Sequence, residues 1–471
     1  MLSLRNDGRL LRIPPYLSAL CIIIGIAWLM LLPLDEYSRH TYVSENAILP
    51  GQVHTYFGGS EHNVFRAYRQ EVWAATEYSE HKRSDTFSDM LSSQGLKTAI
   101  QNYTYEVAGQ EKSGQNVYAV LQGPRADATE AMVLMAAWRN MDDAINYSGV
   151  ALVLTLARYF KRWSIWSKDI IIVIPGDSTF GPQAWVDAYH DTHDPAAVSS
   201  LHIKAGALQA AVAVDYPVGP WGHRFEKLHV VYDGVNGQLP NLDLVNTAVN
   251  IANGQIGIDC AIQHMLNRND DYPARLETML KGMLSQALGH ASGPHSSFMP
   301  YHIDAITLQA VGDGGHDEMS LGRVVESLLR SVNNLLEHLH QSFFFYLLMH
   351  SKRFVSIGTY LPSAMLIAIN FTITSILLWV MSGKPAETTP EPGSTQSDEK
   401  KPDMTLIKQG GDMALVPTKS LEIVERDLFT PLAIVFASHV LGLLPLYLFN
   451  QIPDKVIPHP IPCTYPSSFH R

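Results

Sequence analysis

Residues 168–185 read KDIIIVIPGDSTFGPQAW. Five β-branched residues from Ile170 to Ile174 are followed by Pro175, Gly176 and Asp177. This predicts a buried parallel strand that delivers a loop to the end of an α/β sheet, where that architecture places its chemistry. A metal-dependent hydrolase needs three or four nitrogen or oxygen ligands there, and a base for the attacking water. Other loops of the same kind carry Asp142 and Asp143 after a strand over 132–137, and Asp215 after a strand over 207–214. His295 lies in Gly293-Pro-His295-Ser-Ser-Phe298, ahead of a strand over 303–311. Asp143, Asp177, Asp215 and His295 are therefore the candidates for one rearranged metal site. The alternative has Asp177 as a loop or helix-capping residue and His295 as a satisfied pocket residue. The chain carries no HExxH, CxxC, P-loop or GxSxG. Gly312-Asp-Gly-Gly315 follows a strand and reads as a turn.

The elements that must position these residues alternate. A helix over 62–83 precedes strands over 98–107, 116–122 and 132–137. A helix over 148–163 leads to the Ile170 strand. Strands over 207–214 and 228–232 are followed by helices over 242–253 and 272–291. The strand over 303–311 and a helix over 318–339 complete the order. The fold class is α/β: a mixed, largely parallel sheet with helices on both faces.

Of 471 residues, 46% are apolar and 17% charged, and the net charge of −11 excludes a nucleic-acid partner. Three segments, 17–34, 361–381 and 428–449, carry no Asp, Glu, Lys or Arg and are long enough to span a bilayer. Arg5, Arg9 and Arg12 precede the first, which reads as an uncleaved signal anchor with a cytosolic N-terminus over 1–16. The segment 37–341 is then a lumenal domain. In 342–360, SFFFYLLM beside Lys352 and Arg353 reads as membrane-interfacial. The loop 382–427, rich in Pro, Thr, Glu, Ser and Lys, reads as disordered and cytosolic. The segment 450–471 is expected to be a lumenal tail. Cys260 is the one cysteine of the large segment, so no disulfide staples it. Asn102-Tyr-Thr and Asn146-Tyr-Ser are glycosylation acceptors, and Asn370-Phe-Thr falls inside a span.

The loop order resembles the di-zinc exopeptidases of the aminopeptidase type and the glutaminyl cyclases on the same fold. Aligned on Asn146-Tyr-Ser-Gly149, Ile145 stands at that family's bridging Asp, and Ala137 or Trp138 at its first His. Pro175 and Gly176 stand at its paired glutamates. Only Asp215 and His295 occupy ligand positions. The resemblance thus implies an aminopeptidase-like domain whose site has degenerated: no catalytic residue, and no metal or other cofactor. Longer stretches resemble the GPI-anchor attachment (GAA) subunit of the GPI transamidase: SENAILPGQVHTYF (44–57), DGVNGQLPNLDLVNTA (233–248), LHQSFFFYLL (339–348), RFVSIGTYLP (353–362) and SHVLGLLPLYLF (438–449). That family implies a multi-pass protein of the endoplasmic reticulum membrane. It implies a non-catalytic subunit that helps to present GPI lipid and precursor proteins with a C-terminal signal, and to assemble the complex. Its implied partners include a separate caspase-like cysteine protease subunit. The family carries further spans, so the C-terminal end is expected to be truncated. The rival reading is a lumenal metal-dependent exopeptidase or peptide-bond-forming acyl-transferase. It would use zinc at Asp143, Asp177, Asp215 and His295.

Overall fold

The structure is a computed structural model that describes residues 13–107, 110–221, 224–263, 265, 269–382, 404–409, 412–417 and 429–451. It divides into a large unit, Met30–Tyr360, and a second unit of Met1–Leu29 with Leu361–Arg471. Among the described residues the large unit contains β1 (Arg39–His40), β2 (Lys97–Val107), β3 (Gln110–Leu121), β4 (Glu130–Met135), β5 (Asp169–Ile174), β6 (Ala207–Asp215), β7 (Phe225–Val231), β8 (Asp259–Ala261), β9 (Asp304–His316), β10 (Tyr346–His350) and β11 (Arg353–Ser356).

Eight of these form one sheet in the order β2-β3-β5-β4-β6-β9-β7-β8. Its centre, β5-β4-β6-β9, is parallel, while β2, β3 and the β7–β9 pair run antiparallel. The expected mixed sheet is therefore present, with its parallel block in the middle. Every residue of β5 is buried, as a strand covered on both faces requires. Ile170, Ile172 and Ile174 join the core that includes the helix Tyr147–Lys161, while Ile171 and Val173 join the core of the helix Phe180–Tyr189. The two-residue alternation of a strand thus sorts one apolar run into two cores.

Several sequence expectations need correction. The helix expected over 62–83 is two, His62–Ala74 and Glu80–Ser93, separated by a turn in which Tyr78 is extended. The helix expected over 318–339 ends at Asn333, whose side chain turns back to accept the backbone N–H groups of Ser167 and Lys168 at 2.8 and 3.2 Å. Gly312–Gly315 is not a turn but part of β9, near where its register with β7 shifts. The SFFFYLLM segment is mostly core: Tyr346, Leu347, Leu348 and Met349 are buried in β10, which pairs with β11 and, through it, β1. Pairing satisfies the backbone, so these side chains bury against protein; only Phe344 and Phe345 stay exposed.

In the second unit, Ser363 Oγ donates to the Gly25 carbonyl at 2.8 Å, and Ser18 bonds Asn370. Such close contact between apolar helices through small and polar residues is usual where lipid is the solvent. It also ties Asn370 into the helix pair. Two helices, Ile13–Leu31 and Ile357–Trp379, are long and apolar enough to cross a membrane, and only 11% and 6% of their apolar windows are buried, unlike core helices. The third expected span coincides with the helix Phe429–Gln451. In the region expected to be disordered, Met404–Gln409 and Asp412–Pro417 pair as an antiparallel ladder, β12 and β13. Leu406, Ile407, Leu415 and Val416 give this part more apolar, β-forming character than the charged stretch before it. The remainder of that loop lies outside the described residues, as do residues 1–12 of the N-terminal segment and 452–471 of the tail.

Candidate functional site

The ends of β4, β5 and β6 and the segment ahead of β9 carry the candidate residues. Asp215 closes β6 and is buried. Its carboxylate accepts from Asn140 Nδ2 at 3.3 and 3.4 Å and from Gln309 Nε2 at 3.1 Å. Gln309 Oε1 lies 3.0 Å from His229 Nδ1. Asn140 Oδ1 accepts the backbone N–H groups of Asp142 and Ala144 at 3.0 and 2.9 Å. The register explains the row: Gln309 is the strand partner of both Asp215 and His229, so three neighbouring strands present polar side chains at one level. Burial pushes the Asp215 carboxyl up to about 6, and the Asn140 and Gln309 amides hold it back.

His295 is buried beside a second network. Its Nε2 lies 3.0 Å from the Asp233 carbonyl oxygen and its Nδ1 2.7 Å from Thr307 Oγ1. A carbonyl only accepts, so Nε2 carries the proton and Nδ1 accepts from the threonine hydroxyl. Ser292 and Ser285 donate to the carbonyl and the carboxylate of Asp233 respectively. Burial drops the His295 imidazole to about 4, against a smaller opposing pull from Asp233. Both ring nitrogens are therefore engaged with protein.

Asp177 serves the backbone. Its carboxylate accepts the N–H groups of Thr179, Phe180 and Gly181 at 2.7, 2.6 and 3.2 Å, which fixes the start of the helix Phe180–Tyr189. It also accepts from Tyr103 Oη at 2.5 Å. Burial, with the Asp177 charge beside it, raises the Tyr103 phenol well above its ordinary range. Asp143 stands apart: its side chain is 82% exposed and pairs with Arg139 at 3.1 Å. Among the described residues no group of three or more His, Cys, Asp or Glu is placed to hold a metal ion. Asp215 bonds two amides, His295 a hydroxyl and a carbonyl, and Asp177 the start of a helix, while Asp143 stands apart from all three, so the four do not converge as a zinc site.

The residues that the exopeptidase resemblance singled out pack as follows. Trp138 packs against Phe87 and Tyr147, with the Arg83 guanidinium 4.8 Å from its ring centre. Ile145 joins the apolar core. At Gly176 a Cβ would come 3.0 Å from Tyr103 Oη and 3.3 Å from the Gln115 carbonyl. A glutamate there would crowd the hydroxyl that binds Asp177.

Asn146 needs a second correction. Its side chain is 1% exposed, donates to the Val214 carbonyl at 2.8 Å and accepts the Tyr216 N–H at 2.8 Å. The folded chain has no room for a glycan on it. Asn102 lies exposed on β2 and accepts from Gln115 Nε2 at 2.7 Å. Sequence reading missed Tyr103, Asn140, Asp233, Thr307 and Gln309. One signal was available for the last two: they sit two apart on β9, on the face that alternation turns toward the network.

Comparison with known proteins agrees with the quoted stretches. The family described as Gaa1-like, GPI transamidase component matches residues 113–469. The chain belongs to that family. It is 40% identical over 373 residues to the GPI transamidase component GAA1 of Saccharomyces cerevisiae, covering 78% of this chain and 58% of that protein. It is 36% identical over 378 residues to the GPI transamidase component gaa1 of Schizosaccharomyces pombe, covering 78% and 64%. The chain thus spans about three fifths of the length of these relatives. Among solved structures it is similar to a glutaminyl cyclase of Fimbriiglobus ruber at 12% identity and a TM-score of 0.41, covering 59% of this chain and 97% of that one. It is also similar to a putative zinc-dependent exopeptidase of Bacteroides vulgatus at 14% identity and a TM-score of 0.33, covering 58% and 96%.

Proposed function

We propose that this chain is a non-catalytic subunit of the GPI transamidase. It sits in the endoplasmic reticulum membrane with Met30–Tyr360 in the lumen. There it helps to bring GPI lipid and precursor protein together and to assemble the complex, and a caspase-like subunit cleaves the precursor. The observation that carries the reading is the family match over residues 113–469. The site geometry is consistent with it. At the ends of the parallel strands, Asp215, His295 and Asp177 bond to neighbouring side chains and to the backbone, which supports a structural role for them. The first apolar helix follows Arg5, Arg9 and Arg12, which favours a cytosolic start and a lumenal large unit.

The test is complementation. Cells lacking their own subunit should regain GPI attachment of a surface reporter when they express this chain. Asp215→Asn should restore it as well as the parent does, within about twofold, because a structural carboxylate contributes nothing to a chemical step. A drop of a hundredfold or more at unchanged chain abundance would show chemistry at Asp215 and overturn the reading.

A further inference from the structure

The helix Tyr272–Leu288 has a packed side and an apolar stripe apart from it. On the packed side, Arg275, Thr278, Met279 and Gly282 are buried, and the helix packs against β10. In the stripe, Leu280, Leu284 and Leu288 recur every four residues and are 41%, 61% and 66% exposed. Four residues advance a helix by about 400°, so the three leucines occupy a sector of roughly 80°. Leu276 and Met283 lie half-buried along the same stripe, and the Glu277–Lys281 ion pair flanks it. A helix facing water would carry polar residues there.

The place of this helix says what covers the stripe. Tyr272 Oη donates to the Met30 carbonyl at 2.8 Å, in the last turn of the first apolar helix. Arg275 donates to the Pro33 carbonyl at 3.1 Å and to Asp35 at 2.8 Å. Next to β10, the N–H of Ile357, which opens the second apolar helix, donates to the Phe345 carbonyl at 3.1 Å. Both points where the chain leaves for an apolar helix are thus tied to this one face of the large unit. Tyr37, Tyr272, Phe344 and Phe345 are exposed there, and aromatic side chains of this kind settle at the edge of a bilayer.

We infer that Tyr272–Leu288 is an interfacial helix, lying in the surface of the bilayer that the two apolar helices cross, with Leu280, Leu284 and Leu288 among the acyl chains. Lipid covers the stripe, and the contact fixes how the large unit stands on the membrane. This inference rests on anchoring by the apolar helices and not on GPI chemistry.

The experiment uses the full chain carrying Cys21→Ala, Cys260→Ala and Cys463→Ala, with one new cysteine at a time: Leu284→Cys, Ile24→Cys or Lys112→Cys. Each bears an environment-sensitive fluorophore, in phosphatidylcholine vesicles with or without acyl-chain bromine as quencher. Ile24 reports the first apolar helix, and Lys112 lies on β3, near the opposite edge of the sheet. Bromine should cut emission about twofold at positions 284 and 24 and leave position 112 within about a tenth. If position 284 behaves like 112 while 24 is quenched, the helix is not interfacial, although the anchoring stands. If position 284 escapes lipid but is shielded when other transamidase subunits bind, a protein covers the stripe and the inference fails. An unquenched position 24 removes the anchoring, and the inference with it.

Discussion

At the residue scale, the candidate site is two buried networks with opposite pH dependence. The Asp215 carboxyl is raised from 3.8 to about 6. Folding therefore takes up a proton there; the stabilisation is full below pH 3.8 and is lost as pH rises through 6. His295 is lowered from 6.5 to about 4, so its contribution is present above pH 6.5 and is lost as pH falls through 4. Asp215→Asn should remove a slope of roughly 3 kcal/mol across that window, and His295→Asn a slope of similar size and opposite sign. Thermal unfolding of the detergent-purified chain from pH 4 to 7 measures both. Two variants that keep the parent slope would contradict the buried placement. Asp215 and His295 were legible in the sequence because each follows or precedes a strong strand signal. The partners of Asp215 were not: Asn140 and Gln309 sit far from it in the chain, and the pairing of β6 with β4 on one side and β9 on the other brings them to it. Nor could sequence tell that Asn146, an acceptor triplet by pattern, spends both ends of its amide on backbone groups.

At the element scale, two of the stretches that identify the family are one structure. The backbone N–H groups of Ser44 and Glu45 are received by Asp243 at 3.0 and 2.7 Å, and those of Tyr56 and Phe57 by Glu326 at 3.0 and 2.8 Å. Between them Gly51 lies against the helix Glu318–Asn333, where a Cβ would come 2.3 Å from Ser331 N. Backbone cannot yield as a flexible side chain can. Gly51→Ala should cost about 3 kcal/mol, and Asp243→Ala about 2 to 4 kcal/mol by stranding the two N–H groups. Asp243→Asn should lose less, since one oxygen remains. Chemical denaturation of the large unit within the full chain gives these values, and near-neutral results would mean that the 44–57 segment is not docked as described. Element types were legible for the long apolar strands and amphipathic helices. Bounds failed where tertiary bonds ended an element early, as Asn333 does, and where Tyr346–Met349 of SFFFYLLM found strand partners.

At the scale of the whole molecule, the proposed role requires the large unit to face the lumen. If Met30–Tyr360 is lumenal, Asn102 is its exposed acceptor and Asn146 is closed by burial. Asn102→Gln should abolish one endoglycosidase-sensitive shift in electrophoretic mobility, and Asn146→Gln should leave it. A shift that survives Asn102→Gln and disappears with Asn146→Gln would place the Asn146 loop in solvent. The family and the class of fold were legible in the sequence, the first from long quoted stretches and the second from the alternation of strands and helices. The bonds that Asp215, His295 and Asp177 make with amides, hydroxyls and backbone required the structure.

The most direct test of the central claim is the metal content of the full chain, purified in detergent without chelator or added metal and measured by elemental analysis. The expected result is well under one zinc per folded chain, unchanged by Asp215→Asn. About one zinc per chain, lost in Asp215→Asn and in His295→Asn while both variants stay folded, would contradict it and return the strand ends to catalysis.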